Sequence, residues 1–300
     1  MRPRAISSFP LTCARASNQE AQLDQRTAEI CLGEVGAAKG YPPPNFLILI
    51  GERYGWVPLP FAIACDEFEA LVQWLNDHGQ QQIARDLGTV YAHDANHRIP
   101  PDHAGPCSAD AEQIGAYTLR SRADELPGLK DAERWIECEA RLRHALQTAA
   151  DVLLLHSRIG AEQHEKYFAS LTEQEIARGL FGKGHCGERG SFSDAHAAQA
   201  IAVMREFAEN TSLLPEVVAR FVEQDAGRSR RLDRLKDQIK TVLPSASIIT
   251  TKRVAGWSTG ICIRQLRRIF ALWDLTGEKE VIRLDTRHDG VPALVVSPDP

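Results

Sequence analysis

Residues 45–56, NFLILIGERYGW, constrain the fold more than any other segment of this 300-residue chain. A run of five apolar residues, 46–50, ends at Gly51, and the turn-forming sequence GYPPP precedes it at 40–44. A short, continuous apolar run between turn signals is typical of a strand that is covered on both faces, as in a parallel sheet. We therefore expect an α/β domain built around this strand.

Two further segments have the composition of central strands, AIAVMREF at 200–207 and the β-branched stretch ASIITTKRV at 246–254. Helical apolar spacing occurs between and around the strands, at 19–36, 66–76, 131–155, 163–181, 229–243 and 261–284. Strands that alternate with helices predict an open, mostly parallel α/β sheet.

One α/β domain is expected over residues 19–285, with an irregular N-terminus at 1–18 and a flexible tail at 286–300. Inside the domain, the proline-rich and glycine-containing segment 89–130 predicts a loop-rich insertion, with a short edge strand at 117–120. The Gly-, His- and Ser-rich segment 182–198 predicts a mobile loop.

Composition excludes several classes of partner and site. The net charge of −5 does not favour nucleic acid or an anionic membrane as a partner. No apolar run approaches the roughly 20 residues that span a bilayer, and no signal peptide is recognised, so a cytoplasmic location is expected. The seven cysteines are dispersed without a CxxC pair, which predicts free thiols and no metal site.

The loop GERYGW, which follows the first strand, is the first candidate ligand site. Ligands of parallel sheets bind beside the carboxyl ends of strands. Gly51 and Gly55 would let the backbone approach a ligand, Arg53 would contact a phosphate or carboxylate, and Tyr54 or Trp56 would stack on a base. The alternative is a structural turn whose aromatic side chains cover the sheet edge.

The second candidate is SLTEQEI at 170–176. Ser170 or Thr172 can cap a helix whose first turn carries Glu173 and Glu175, and acidic residues there are favoured by the helix dipole. One interpretation is a capping box with a solvated acidic turn. The other is that Glu175 faces the ligand crevice as a catalytic carboxylate, which can stabilise or attack an oxocarbenium-like centre when a glycosidic bond breaks.

The order of several segments resembles one known family. These segments are SNQEAQLDQRTAEICLGEV, PNFLILIGERYGWVPLP, DEFEAL, ERWIECEARLRHAL, KYFASLTEQEIARGLF and AIAVMREF. Together they resemble the N-terminal TIR-like, Rossmannoid domain of bacterial STAND proteins, in which the domain precedes a NACHT or related ATPase and a WD or tetratricopeptide repeat array. The resemblance covers roughly residues 17–275, and PNFLILIGERYGWVPLP is its most specific part.

The resemblance implies a flavodoxin-like or TIR-like sheet with helices on both faces, related to nucleoside deoxyribosyltransferases. Members of this wider group often cut N-glycosidic bonds of NAD or nucleotides with a glutamate in a T-x-x-E-hydrophobic context. That context is Thr172 to Ile176 here, so Glu175 would be the catalytic residue, with NAD or a nucleotide as substrate and no stably bound cofactor. Other members only self-associate and signal.

The sequence departs from the family pattern at both ends. Only 16 residues precede the SNQEAQLDQ segment, so one or two strands of the sheet are expected to be missing, and no ATPase follows. The leading hypothesis is an effector or signalling domain of a bacterial NACHT/STAND defence system, which acts through like domains as a homo-oligomer or through an ATPase partner. The alternatives are an NAD or nucleotide N-glycosidase that uses Glu175, and an inert fragment of a larger protein or truncated gene model.

Overall fold

A computed structural model describes residues 23, 25–38, 41, 44–99, 113–181, 200–207 and 221–253. The chain divides into two compact units, the first formed by Met1–Glu206 and Leu214–Thr250, the second by Phe207–Leu213 and Thr251–Pro300. The elements described below belong chiefly to the first unit. The predicted irregular N-terminus at 1–18, mobile loop at 182–198 and tail at 286–300 lie outside the described residues, as do the expected domain limits 19 and 285.

Helices and strands are interspersed along the described chain. The helices are α1 (Thr27–Ala38), α2 (Cys65–Asp77), α3 (Gln81–Val90), α4 (Ala132–Leu155), α5 (Ala161–Glu165), α6 (Leu171–Ile176) and α7 (Ala226–Val242). The strands are β1 (Phe46–Ile50), β2 (Ala62–Ala64), β3 (Tyr91–Ile99), β4 (Gln113–Leu119), β5 (Ala200–Phe207) and β6 (Ile248–Arg253). A π-helical turn, Ala177–Phe181, continues α6, and 3₁₀ turns lie at Pro127–Leu129 and Ser245–Ser247.

The predicted α/β class is confirmed. A three-stranded sheet has the order β1-β5-β6, and β1 pairs with β5 in parallel, from Phe46 opposite Ala200 to Ile50 opposite Met204. All three strands coincide with the segments whose apolar or β-branched composition predicted them. Strands β2 to β4 and helices α2 to α6 lie between β1 and β5 in the sequence, and α7 lies between β5 and β6.

A second sheet occupies much of the segment that was predicted to be loop-rich. It has the order β2-β4-β3, and both pairings are antiparallel. The prediction of a loop-rich segment at 89–130 is therefore wrong where β3 and β4 lie. The short edge strand predicted at 117–120 is instead part of β4, the central strand of this sheet. The polar residues of β3 made it look like a loop, because an antiparallel strand can leave one face in solvent. The pairing register of β3 with β4 also shifts between Asp94 and Arg98.

Among the described residues, two large apolar cores hold most of these elements, and a small third cluster joins Ala64, Ile99 and Ala116. The first joins α2, α3 and α4 to the antiparallel sheet, and Leu71, Leu87 and Leu142 are completely buried in it. The second lies on one face of the parallel sheet, where α7 and the π-helical turn cover Ile48 and Ile50. The segment after β1 contributes Tyr54 and Val57 to the second core and Leu59 to the first.

The described helices and cysteines bear on two further predictions. Within the described ranges, no helix is both long and apolar enough to cross a membrane. Cys31, Cys65 and Cys138 are free thiols, as predicted, and the remaining cysteines lie outside those ranges.

Candidate functional site

The loop after β1 is paired to the segment that leads into α7. Glu52 forms a parallel bridge with Val222, and the Glu223 N–H donates to the Glu52 carbonyl at 2.7 Å. The Glu52 carboxylate accepts a hydrogen bond from Lys236 Nζ at 2.9 Å. The start of the loop thus extends the parallel sheet beyond Ile50 and is anchored to α7 by an ion pair.

Tyr54 lies inside the protein rather than in a crevice. Its side chain is only 2% exposed. Its hydroxyl contacts the Glu173 carboxylate and accepts the Ser170 N–H at 3.1 Å, while the Tyr54 N–H donates to Glu223 Oε2 at 3.3 Å. The ring and the hydroxyl are therefore used in packing, and the predicted stacking of Tyr54 on a base has no support from this placement.

Gly55 lets the loop lie directly against the start of α6. Its φ of +96° is in the left-handed region, and a Cβ at this position would lie 3.6 Å from Thr172 Oγ1. The Leu171 N–H donates to the Trp56 carbonyl at 2.9 Å, which satisfies one of the free amides at the helix start. The structure thus brings together the two segments that the sequence singled out.

The contact between these segments involves Glu173 rather than Glu175. Glu173 is 1% exposed and reaches Tyr54. Glu175 is half-buried and follows two residues later, which places it about 200° around a helix of 3.6 residues per turn. Glu175 therefore does not share the direction in which Glu173 meets the loop.

Ser170 is the N-cap of α6, which agrees with one of the two capping alternatives. Its hydroxyl accepts the Glu173 N–H at 3.2 Å. The acidic first turn is not solvated as the capping-box interpretation assumed, because Glu173 is buried beneath the loop. A glutamate three residues after a serine cap was visible in the sequence, but its burial depends on the distant loop.

Positive side chains from α7 surround the buried carboxylate. Arg231 Nη1 lies 3.7 Å from Glu173 Oε2, and Arg234 Nη2 lies 3.9 Å from Glu173 Oε1. Arg231 also donates to both carboxylate oxygens of Glu165, at 2.7 and 3.3 Å. Burial raises the pKa of Tyr54 far above its usual range, and the neighbouring Glu173 raises that pKa further. The phenol consequently remains a hydrogen-bond donor to the carboxylate.

The remaining predicted ligand contacts are dispersed. The Arg53 side chain is exposed, and Trp56 is partly exposed while its indole N–H donates to Glu139 Oε1 at 2.9 Å. A Cβ on Gly51 would lie 3.2 Å from the guanidinium of Arg205, so the backbone approaches a side chain of β5 there. Among the described residues, no group of three or more His, Cys, Asp and Glu side chains is arranged to hold a metal ion.

A cavity of about 390 Å³ lies next to this network, between α4 and the start of α7. Its polar lining is mainly basic, and sequence reasoning did not identify it. Arg143 and His144 come from α4, and Arg228 and Arg231 come from α7. The i,i+3 spacing of the two α7 arginines was the available signal, since residues with that spacing share a helix face.

Comparison with known proteins adds no assignment. The chain has no significant match to a protein-family model, to a curated protein or to a solved structure. Geometry and chemistry therefore carry the functional argument.

Proposed function

We propose that this protein is an association domain of a bacterial NACHT/STAND-type defence system, located in the cytoplasm, which signals by binding a second copy of itself. One observation carries the proposal: Leu47 and Leu49, in the segment FLILI that forms β1, are 51% and 66% exposed. Neighbouring large apolar residues on a strand are typical of an interaction surface.

The two leucines belong to an apolar face of the parallel sheet. Side chains alternate along a strand, so Leu47 and Leu49 point away from the core that buries Ile48 and Ile50. The register places Leu47 opposite Ile201 and Leu49 opposite Val203 on the same face, but Ile201 and Val203 are buried, so the two leucines of β1 form the exposed apolar surface.

A second copy fits this strand because FLILI is uncharged and self-complementary. β1 is the terminal strand of the described sheet order, so its outer edge has no strand partner among the described residues. Antiparallel pairing about a two-fold axis at Ile48 would place Leu47 of one copy beside Leu49 of the other. No like charges oppose each other in that arrangement.

The exposed leucines supply one part of the affinity. Full burial of a leucine side chain contributes about 1.5–3 kcal/mol, so four half-exposed leucines contribute roughly 4 kcal/mol in a dimer. Association costs about 4 kcal/mol or more in lost translational and rotational freedom, so main-chain pairing at the strand edge must supply the surplus. We therefore expect weak, concentration-dependent association of the isolated protein.

Sedimentation velocity from low micromolar to about 1 mM protein tests the proposal. Wild type should form dimers, whereas Leu49→Lys should weaken dimerisation at least about tenfold, because the interface would bury an unpaired charge. Leu155→Lys is the matched control: Leu155 is 79% exposed at the end of α4 and should tolerate lysine with no change in association. A wild-type protein that stays monomeric, or a Leu49→Lys variant that dimerises normally, contradicts the proposal.

The N-glycosidase alternative has weaker support, since Glu175 does not face Tyr54 and the Tyr54 hydroxyl is occupied by Glu173. The same preparations can be incubated with NAD, ATP and deoxynucleosides, and free base quantified by chromatography. The association proposal expects no base release from wild type or from Glu175→Gln. Release by wild type that Glu175→Gln abolishes would establish the enzymatic alternative instead.

A further inference from the structure

We propose that the cavity between α4 and α7 binds a phosphate-bearing small molecule, with Arg228 and Arg143 as its anion contacts. The cavity volume of about 390 Å³ lies within the range of small-molecule sites, roughly 300–1,000 Å³. This inference is independent of self-association, because it concerns different side chains and a different surface.

Arg228 is the strongest reason for this assignment. It lines the cavity, and its guanidinium has no hydrogen bond or ion pair with any described residue. Only its backbone N–H is engaged, donating to Asp225 Oδ1 at 2.8 Å at the cap of α7. A half-buried guanidinium beside a cavity offers a set of planar donors that suits phosphate.

Arg143 is held in position by the protein while still facing the same cavity. It donates to the Val57 carbonyl at 3.0 Å and lies 3.6 Å from Glu139 Oε1. Burial lowers the pKa of Arg143; Glu139 opposes this shift, and the positive charge of Arg228 reinforces it. Arg143 and Arg228 therefore repel each other, and an anion bound between them would relieve that repulsion.

The charged side chains that line the cavity are three arginines and Asp225, and Glu139 and Glu165 pair with two of these arginines. Arg231 lines it too, but its guanidinium is already satisfied by Glu165. Asp225 is the acidic lining residue and caps α7, a helix of 17 residues whose positive end adds to the attraction of anions. A phosphate monoester, which carries about −1.5 to −2 charges at neutral pH, complements Arg228 and the partly neutralised Arg143 better than a carboxylate does.

The cavity wall also contains apolar surface for the organic part of a ligand. Val57, Ala140 and Phe168 line it beside the arginines. The Phe168 ring already packs under the Arg231 guanidinium, 5.3 Å from the ring centroid, and is stacked on His164 at 4.5 Å. A ligand with both a phosphate group and an apolar portion matches this combination of walls.

Isothermal titration calorimetry of the full chain at low salt tests the assignment, with adenosine 5′-monophosphate, adenosine and acetate as probes. Adenosine 5′-monophosphate should bind wild type, and adenosine and acetate should bind at least about tenfold more weakly. Arg228→Gln should weaken binding of the monophosphate by about ten- to a hundredfold, because a charge-assisted hydrogen bond is lost. Arg230→Gln is the matched control, since Arg230 is exposed on the same helix, does not line the cavity and carries the same charge.

Thermal unfolding of each variant verifies that it is folded before titration. The assignment is overturned if wild type does not bind the monophosphate at millimolar concentration, or if acetate or adenosine binds as tightly. It is equally overturned if Arg230→Gln weakens binding as much as Arg228→Gln, because the attraction would then come from general charge rather than from the cavity.

Discussion

The buried contact between Tyr54 and Glu173 should make Tyr54→Phe strongly destabilising although the substitution removes a single oxygen atom. The hydroxyl is the donor to a carboxylate that is 1% exposed, and it accepts the Ser170 N–H at 3.1 Å. The raised pKa of Tyr54, caused first by burial and then by Glu173, keeps the hydroxyl protonated throughout the ordinary pH range.

The expected loss of stability follows from two groups that lose the Tyr54 hydroxyl as a partner, the Glu173 carboxylate and the Ser170 N–H. A hydrogen bond to a charged acceptor contributes about 1.5–3 kcal/mol, and a buried N–H left unpaired costs about 1–3 kcal/mol. Because the two effects overlap in one network, we expect a loss of about 3 kcal/mol in the free energy of unfolding. For a domain of this size that loss lowers the melting temperature by roughly 6–12 °C.

Urea and thermal unfolding followed by circular dichroism measure this loss. Tyr41→Phe provides the control, because Tyr41 is exposed and its hydroxyl makes no hydrogen bond with a described residue. The urea dependence of the unfolding free energy should be the same in all three proteins, so that the midpoint alone reports stability. Tyr54→Phe that loses no more stability than Tyr41→Phe would refute the reasoning, since the contact would then not hold the loop on α6.

Two further predictions concern packing and pH. Gly179→Ala should destabilise the fold by about 1–3 kcal/mol, because the added Cβ would lie 2.5 Å from Phe46 Cε1. Gly88→Ala should stabilise α3 by about 0.5–1 kcal/mol, because open space surrounds the position of its Cβ. Urea unfolding measures the change in the free energy of unfolding for both variants. Burial raises the pKa of Glu139 against the opposing effect of Arg143, so its stabilising contribution is present at low pH and is lost as the pH rises through the folded-state pKa. The stability of wild type relative to Glu139→Gln should therefore fall as the pH is raised above about pH 4, the usual pKa of a glutamate, and a constant or rising difference would contradict that sign.

The parallel sheet was predictable because its signal is local. Strands β1 and β5 are nearly continuous apolar runs, and such runs need no knowledge of distant residues to be recognised. The antiparallel sheet was not predictable in the same way, since β3 reads YAHDANHRI and becomes a strand through pairing with β4. Its polar face is exposed, and composition alone could not distinguish it from a loop.

The candidate site shows the same division between local and distant signals. One of the two interpretations of SLTEQEI placed its helix at the crevice beside the loop GERYGW, and Gly55 and Thr172 are neighbours in the structure. Which glutamate, Glu173 or Glu175, contacts the loop depends on which side of α6 faces Tyr54. That orientation is set by packing between residues more than 100 positions apart in the sequence. The cavity likewise joins Arg143 to Arg228 across different helices, so no short motif could reveal it.

The geometry of β1 separates the two proposals from each other. Ile48 and Ile50 point into the core that α7 covers, and the first turn of α7 lines the cavity. Leu47 and Leu49 point to the opposite face of the sheet, away from α7. A substitution at Leu49 should therefore leave phosphate binding unchanged, and a substitution at Arg228 should leave dimerisation unchanged. Each variant therefore serves as a control for the other. A variant that had lost its structure would lose both phosphate binding and dimerisation, whereas a folded variant should lose one and keep the other.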